Sequence, residues 1–329
     1  MQQHVQRYAR PSARPSNRAA VLGFAAACAL VAAAGSAPAQ ASGGARAAQG
    51  AADWSAVDQA LGRKGAMQPG NVMKYSFPRS DLQVTVNGVQ LKPALALGSW
   101  VAFKNIGGGH AMMMGDLVLA EEEVGAVMRA LQQAGVEQTA LHNHVLGESP
   151  RVMYMHIAGH DDPTKLAQAV RAALGQSATP MEASAPAAAS VAIDLDTTAV
   201  AGALGFAGKV NGGVYQVSVP RRETIREAGR EVPPSMGVAT AINFQPTGGG
   251  RAAVTGDFVM LASEVNPVIR ALQENGITVT ALHSHMLTET PRLFFMHFWA
   301  NDDATKLARG LRAALDRTAS KPAAKTASR

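Results

Sequence analysis

Hydrophobic and polar positions along the chain predict a short set of strands and helices. Four apolar residues recur at the i, i+3, i+4 and i+7 spacing of a helix: Val124, Val127, Met128 and Leu131. Gly135 is placed to end this helix, and Asp162-Pro163 is a typical start for the next one. The segments SWVAFKNI and AMMMGDLVLA have the composition of strands, and Asn87-Gly88 predicts a hairpin turn before them.

The same pattern occurs again later in the chain. His142 aligns with His283, and the offset between these two positions, here called the repeat offset, holds over a long stretch. Four further matches are Phe103 with Phe244, the glycines 107–109 with 248–250, Gly115-Asp116 with Gly256-Asp257, and Pro150-Arg151 with Pro291-Arg292. We therefore predict two tandem copies, at 53–175 and 194–317. A linker rich in Ala, Ser and Pro at 176–193 joins them, and a disordered basic tail follows at 318–329.

Each copy has a predicted β-β-α-β-β-α core. This order favours an α+β fold with an antiparallel sheet and the helices on one of its faces. We expect the two homologous domains to pack about a pseudo-twofold axis.

The N-terminus has the features of a secretory signal peptide at residues 1–41. Basic residues precede an apolar run from Ala19 to Ala37, and Ala39-Gln40-Ala41 is a small-x-small cleavage signal. A flexible segment, 42–52, would follow. We expect an exported, periplasmic or secreted protein with no transmembrane segment after cleavage. The alternative is a lipoprotein acylated at Cys28, the only cysteine of the chain.

The formal net charge of +6 does not indicate a nucleic-acid partner. Without the four arginines of the N-terminal segment, 26 basic side chains remain against 24 acidic ones. Because no basic face with interleaved aromatic residues is left, nucleic-acid binding is set aside.

Six of the nine histidines fall at matched places in the two copies: His142, His144, His156, His283, His285 and His297. Side chains at i and i+2 of a strand project from the same face, so each H-x-H pair can share a metal ion. Glu148 adds a carboxylate as ligand or general base, and Glu289 repeats it. This donor set suits zinc first, and copper, iron or manganese where positions stay open.

The third histidine of each triad depends on strand register. If His142 lies opposite His156, all three imidazoles share one face of the sheet. If His142 lies opposite Met155, the ring of His156 points to the other side.

The two copies differ at two positions near these motifs. His110 and His160 of the first copy become Arg251 and Asn301 in the second. We expect the first copy to be the active one, with Glu148 and His110 as candidate catalytic groups. Arg251 and Glu289 are candidate ligand-binding residues in the second copy, where the arginine suits a carboxylate or phosphate. Asp116 and Asp257 are interpreted as turn residues.

The repeated pattern ALHxHxLxExPRxxxMHxxxxDDxTKLAxxxRAAL, with GGG and GD upstream, resembles the LppY/LpqO family of exported bacterial proteins, a domain of unknown function. The resemblance covers both copies. It implies an extracytoplasmic protein, often a lipoprotein, and supplies no established reaction.

Three functions are consistent with these features. The first is an exported metal-binding protein, in which a metal-bound water would give a metal-dependent hydrolase. The second is a metal-free phosphoesterase using paired histidines as acid and base, although such enzymes use H-x-[ST] where this chain has H-x-H. The third is a non-catalytic binding or structural protein of the cell envelope. The pattern does not identify the small-molecule or envelope ligand.

Overall fold

The computed structural model describes residues 52–182 and 192–321. Both halves of the chain belong to one compact unit. The predicted signal peptide with Cys28 lies outside the described residues. So do most of the 42–52 segment, residues 183–191 of the linker and residues 322–329 of the tail.

The elements of the first half, in chain order, are α1 (Ser55–Leu61), β1 (Ala66–Gln68), β2 (Val72–Pro78), β3 (Thr85–Val86), β4 (Val89–Gln90), α2 (Pro93–Ala96), β5 (Gly98–Gly107), β6 (His110–Ala120), α3 (Val124–Gln133), β7 (Glu137–His142), β8 (Glu148–Ser149), β9 (Val152–Asp161) and α4 (Pro163–Leu174). Those of the second half are α5 (Thr197–Leu204), β10 (Lys209–Asn211), β11 (Val214–Pro220), β12 (Arg226–Glu227), β13 (Arg230–Glu231), β14 (Ala239–Gly248), β15 (Arg251–Met260), α6 (Ala262–Glu274), β16 (Thr278–His283), β17 (Phe294–Asp303) and α7 (Ala304–Leu315). Two short 3-10 helices cover Glu121–Glu123 and Pro234–Met236.

Each half contains a six-stranded antiparallel sheet. The strand orders are β1-β2-β5-β6-β9-β7 and β10-β11-β14-β15-β17-β16. The predicted α+β class, with antiparallel sheets in two tandem copies, is confirmed. Each half is larger than the predicted core, because a helix and a two-strand hairpin precede it.

Local sequence explains several of these elements. Val127 and Leu131 of the predicted apolar stripe are buried under α3, and Gly135 follows with a φ of +74°. The Asp162 side chain accepts a hydrogen bond from the Lys165 amide at 2.9 Å, which caps α4 as predicted. Asn87-Gly88 turns between β3 and β4 with positive φ at both residues.

The two sheets face each other, and the helices cover their outer faces. Residues of α1, α3 and α4 form one core cluster with the outer face of the first sheet, and α5, α6 and α7 form the matching cluster with the second. Two further clusters contain residues of both halves. The central strands β6 and β15 are therefore buried on both faces.

A buried ion pair is repeated beside the first turn of α3 and α6. The Arg79 guanidinium donates to Glu123 Oε2 at 2.7 Å, and Arg221 donates to Glu264 Oε2 at 2.6 Å. Each arginine also donates to a carbonyl of its central strand, Val118 or Val259. These pairs join the helix start to the sheet.

The segments after α4 and α7 are ordered where they are described. The amide of Ala178 donates to Glu123 Oε1 at 2.7 Å, and the amide of Ala319 donates to Glu264 Oε1 at 2.8 Å. Residues 319–321, at the start of the predicted disordered tail, pair with 220–222. No helix in the described ranges has both the length and the apolar character needed to cross a membrane.

Candidate metal centre

Strand register places the histidines of each half on one face of its sheet. His142 lies opposite Tyr154 and Ala140 lies opposite His156, after a bulge at Thr139. Both registers considered from the sequence are therefore wrong, because the connection between β7 and β9 sets a third register at His142, and the bulge changes the pairing again only beyond Ala140. Since alternate residues of a strand share a face, His156 still projects on the side of His142.

The second half repeats this arrangement. His283 lies opposite Phe295 and Ala281 lies opposite His297, with the bulge at Thr280. Both triads are thus built by the same local irregularity.

His144 and His285 do not lie on strands, contrary to the prediction, because β7 and β16 end at His142 and His283. The chain bends there, and the two rings fold back over the strand that follows. The His144 ring stacks on Tyr154 with 3.3 Å between ring centroids, and the His285 ring stacks on Phe295 at 3.5 Å. These aromatic side chains hold the loop histidines beside the sheet.

The six imidazoles form a single cluster between the two sheets. Ring centroids are 3.7 Å apart for His142 and His283, and 3.8 Å apart for His144 and His297. His156 and His285 are also 3.8 Å apart. All three contacts join one half to the other, and the repeat offset converts the second contact into the third.

Two threonine hydroxyls at the bulges hold the halves together around this cluster. Thr139 Oγ1 donates to the carbonyl of His285 at 2.6 Å, and Thr280 Oγ1 donates to the carbonyl of His144 at 2.5 Å. The bulge of each half therefore positions the loop histidine of the other half.

Asp116 and Asp257 are not the turn residues that the sequence indicated, but lie within β6 and β15 and face the histidines. Asp257 Oδ2 is 2.9 Å from His285 Nε2. Asp116 Oδ2 is 3.7 Å from His144 Nε2, a distance too long for a hydrogen bond. Each half thus adds one carboxylate to the cluster.

The glycine before each aspartate orients a further histidine. The His297 ring donates from Nδ1 to the carbonyl of Gly256 at 2.6 Å, and the backbone of Gly115 lies in the matching place beside the His156 ring. Fixing Nδ1 in this manner leaves Nε2 of His297 directed into the cluster.

The cluster is buried, and many of its polar atoms have no partner. His156, His285 and His297 are 4%, 7% and 3% exposed. Among the described residues, seven buried atoms of the cluster lack a hydrogen-bond partner: Asp116 Oδ1, His142 Nε2, His144 Nε2, His156 Nε2, Asp257 Oδ1, His283 Nδ1 and His297 Nε2. An unsatisfied buried polar group costs about 1–3 kcal/mol, so a common partner for these atoms is expected.

Burial shifts the protonation of these groups. It lowers the pKa of His142 to about 3, with a further contribution from His297, and it also lowers the pKa values of His144, His156, His283 and His297. Burial raises the pKa of Asp116 to about 7. Neutral imidazoles are the form that binds a metal ion.

Ligand atoms already converge in two sets of three. Atoms of His142, His283 and His297 lie within 4.8 Å of one another, and so do atoms of His156, His283 and His285. Tetrahedral zinc, with bonds of about 2.0–2.1 Å to nitrogen, holds its ligand nitrogens about 3.3 Å apart. The donors present therefore fit a transition-metal ion after small side-chain rotations.

The glutamates expected beside the histidines lie elsewhere. Glu148 is on the short strand β8, which pairs with β3, and it belongs to neither set of converging ligand atoms. Glu289 is buried in the loop before β17, where it accepts hydrogen bonds from the Leu293 amide and from Arg292. Its carboxylate therefore shapes this loop, and its expected ligand-binding role stays a prediction.

The other two expected site residues are exposed at hairpin ends. His110 begins β6, and Arg251 begins β15, where its guanidinium pairs with Asp302 at 3.3 Å. The structure does not bring either residue to the histidine cluster, because both strands run several residues from these hairpins before they reach the aspartates.

Sequence reasoning missed the aspartates and the aromatic supports. A signal was present, because an acidic residue interrupts an otherwise apolar strand in AMMMGDLVLA and is repeated at the repeat offset. The contacts between halves had no such signal, since nothing in one repeat specifies which surface of the other it meets.

The two cavities found among the described residues lie away from the cluster. One, of about 50 Å³, is bordered by Arg221 and Lys321, and the other, of about 160 Å³, is bordered by Trp54 and His110. Neither is lined by a histidine of the cluster.

The fold and the site define a class of α+β protein with two tandem, similar halves that enclose a histidine cluster between facing sheets. The family model described as "Domain of Unknown Function (DUF1259)" matches residues 55–176 and 198–317. The chain belongs to this family and contains two copies of its domain. A search of curated proteins finds no match.

Two solved structures show distant similarity. One is a trimeric bacterial microcompartment shell protein, PduB, with 13% identity over 77% of this chain and 89% of that chain, and a TM-score of 0.19. The other is EtuB from Clostridium kluyveri, with 11% identity over 77% and 88% of the two chains, and a TM-score of 0.18. At these TM-scores neither similarity carries an argument.

Proposed function

We propose that this protein binds transition-metal ions in the histidine cluster enclosed by its two halves. The observation that supports this most strongly is the set of seven buried, unpartnered imidazole and carboxylate atoms. Bound metal would satisfy these atoms at once, and protonation of so many buried imidazoles is opposed by their lowered pKa values.

The donors indicate which metals to test. Six imidazoles and two carboxylates form a set of borderline ligands that suits zinc first, with copper, iron and manganese as the other candidates. The hydrogen bond from Nδ1 of His297 to the carbonyl of Gly256 supports a metal role, because metal-binding histidines commonly use the second ring nitrogen in this way.

The closed position of the cluster favours metal binding over hydrolysis. A catalytic metal keeps a position open to substrate, whereas the rings of His156 and His297 are almost completely buried. The metal-free phosphoesterase is disfavoured for the same reason, since a phosphate ester would have to reach these rings. Binding, storage or stabilisation by the metal is therefore the role we propose.

The predicted signal peptide supports a role outside the cytoplasm. The resemblance to the LppY/LpqO family and the signal-peptide pattern at 1–41 both support a periplasmic or secreted protein, with acylation of Cys28 as the alternative. We therefore propose that the protein takes up its metal after export.

Metal content of the purified full chain tests this function. The protein is stripped with a chelator, dialysed against zinc or copper, and measured by inductively coupled plasma mass spectrometry. The variant His142→Ala/His283→Ala removes the central ring of each half and is expected to lose most of the bound metal.

The matched control is His110→Ala/His160→Ala, which removes one histidine from each of two strands at exposed positions. It is expected to retain the wild-type metal content. Equal metal in both variants, or no stoichiometric metal in the wild type, would contradict the proposal.

A further inference from the structure

The shortest ring distances from the loop histidines, His144 and His285, to other histidines cross from one half to the other. The ring of His144 lies 3.8 Å from that of His297, and the ring of His285 lies 3.8 Å from that of His156. Among the ring contacts of the described residues, none joins His144 to His156 or His285 to His297. Within each half the strand histidines also lie near each other, at 5.0 Å for His142 and His156 and 4.8 Å for His283 and His297, so it is the loop histidine that distinguishes a crossed set from a triad within one repeat.

One complete set of ligands already crosses the halves in this way. His283 and His285 of the second half converge with His156 of the first. Nε2 of His285 is 3.0 Å from Nε2 of His283, close to the separation of two ligands on one ion.

The repeat offset maps this set onto His142, His144 and His297. Ring separations agree between the two sets: 5.2 Å for His142 and His144 against 5.0 Å for His283 and His285, and 5.2 Å for His142 and His297 against 5.7 Å for His283 and His156. The other converging set consists of His142, His283 and His297. In it, His283 stands where this mapping would put His144. The Nε2 of His144 is buried and unpartnered. A rotation of this ring would bring it to His142 and His297 and so form the equivalent set of three ligands.

Each set has its own carboxylate. Asp257 is 2.9 Å from His285, and Asp116 is 3.7 Å from His144. One oxygen of each aspartate has no partner among the described residues. Three imidazoles and one carboxylate make a four-coordinate donor set for zinc.

We propose that the cluster holds two metal ions in two equivalent centres whose ligands are exchanged between the halves. One centre consists of His142, His144 and Asp116 with His297 of the second half, and the other consists of His283, His285 and Asp257 with His156 of the first. This inference rests on the proposed metal-binding function. Metal then joins the two halves, because neither can complete a centre alone.

Zinc stoichiometry of two double variants tests the exchange. His144→Ala/His297→Ala removes two ligands of one exchanged centre and is expected to bind one zinc per chain, against two in the wild type. His144→Ala/His156→Ala removes one ligand from each centre and is expected to bind none tightly. The variants are matched, because each lacks one loop histidine and one buried strand histidine.

The alternatives give different results in equilibrium dialysis of these full-length proteins. Triads confined to each half reverse the order, leaving one zinc in His144→Ala/His156→Ala and none in the other variant. A wild type that binds one zinc would indicate a single shared site and overturn the proposal of two centres while leaving metal binding intact. A wild type that binds no zinc or copper would remove the proposed function itself.

A measurement on the unmodified protein covers the case in which the variants do not fold. Stepwise Cu(II) titration followed by electron paramagnetic resonance is expected to give an isolated-ion spectrum well below one equivalent, where two equivalent centres are rarely both occupied. Magnetic broadening should appear at two equivalents, because the two centres adjoin. Two equivalents of isolated ions, or saturation at one equivalent, would contradict two adjoining centres.

Discussion

At the scale of single residues, the cluster depends on a glycine in the central strand β15. Gly256 precedes Asp257 in β15, and a methyl group added to it would lie 2.0 Å from the carbonyl oxygen of Ala241 on the neighbouring strand. The same glycine accepts the hydrogen bond from His297. Close strand approach and histidine orientation therefore depend on one position without a side chain.

The variant Gly256→Ala is expected to reduce the free energy of unfolding by about 1–3 kcal/mol, because the added carbon forces β14 and β15 apart. Urea denaturation of the metal-free protein measures this change. Gly202→Ala in helix α5 is the control, since nothing lies within 4 Å of its added methyl group. The control should be neutral or gain up to about 1 kcal/mol. Equal stability of Gly256→Ala and wild type would contradict the close approach.

Protonation of the buried histidines predicts a pH dependence of the metal-free protein. Their folded pKa values are lowered, so the unfolded chain, with histidine near pKa 6.5, binds more protons as the pH falls. The raised pKa of Asp116 has the opposite effect on stability, which it lowers as the pH rises above the ordinary pKa of an aspartate. Burial alone would raise the pKa of Asp257, but its contacts with His297 and His285 outweigh burial, and the lowered pKa affects stability only below the usual Asp range, outside pH 5 to 7.

Because the histidines outnumber Asp116, we expect stability to rise from pH 5 to pH 7. Urea midpoints at several pH values in the presence of chelator measure this slope. A midpoint that stays constant or falls over this range would show that the imidazoles are not buried in neutral form.

At the scale of elements, a buried arginine connects each helix start to its sheet. The guanidinium of Arg79 is fully buried, and its partner Glu123 also accepts the amide of Ala120, which caps the start of this helix. The pair Arg221 and Glu264 repeats the arrangement. Such pairs matter mainly because removing one partner leaves an uncompensated charge.

The variant Arg79→Met is expected to cost about 3–5 kcal/mol, since Glu123 then remains buried without its cation. Thermal or urea denaturation measures the loss. Lys165→Met breaks the exposed pair with Asp161 and should leave the free energy of unfolding nearly unchanged. A similar small effect for both variants would contradict a structural role for the buried pair.

The strand bulges are the second device at this scale. Thr139→Val removes the hydroxyl that donates to the carbonyl of His285 and is expected to cost about 1–3 kcal/mol, because that carbonyl loses its partner. Thr85→Val, at an exposed strand position with a long 3.4 Å contact, is the control and should change little. Urea denaturation distinguishes the two variants. An unchanged free energy of unfolding for Thr139→Val would show that the bulge does not help to hold the halves together.

At the scale of the whole molecule, two sheets meet face to face and enclose the polar cluster between two apolar clusters shared by both halves. The contacts are reciprocal, and this supports the expected pseudo-twofold arrangement. Each half covers the histidines of the other. The duplication therefore produces one enclosed histidine cluster at the interface instead of two separate open ones.

Part of this arrangement was predictable from the sequence. The repeated H-x-H and the later histidine indicated that six imidazoles act together, and local patterns located α3, α4 and the Asn87-Gly88 turn. The register was not predictable, because the connection between β7 and β9 sets the pairing of His142, and this connection is held by β3 and by a hydrogen bond from Asn143 to the Thr280 carbonyl of the other half. Asp116 was misread as a turn residue, since a buried carboxylate is stable in a strand only when distant residues supply its partners.

X-ray absorption spectroscopy of the zinc-loaded full chain shows directly whether the enclosed histidines bind the metal ion. The account predicts a zinc first shell at about 2.0–2.1 Å with three imidazole nitrogens and one carboxylate oxygen, together with the outer-shell scattering typical of imidazole rings. A first shell of water and carboxylate oxygens without imidazole scattering would show that the enclosed histidines do not bind the metal.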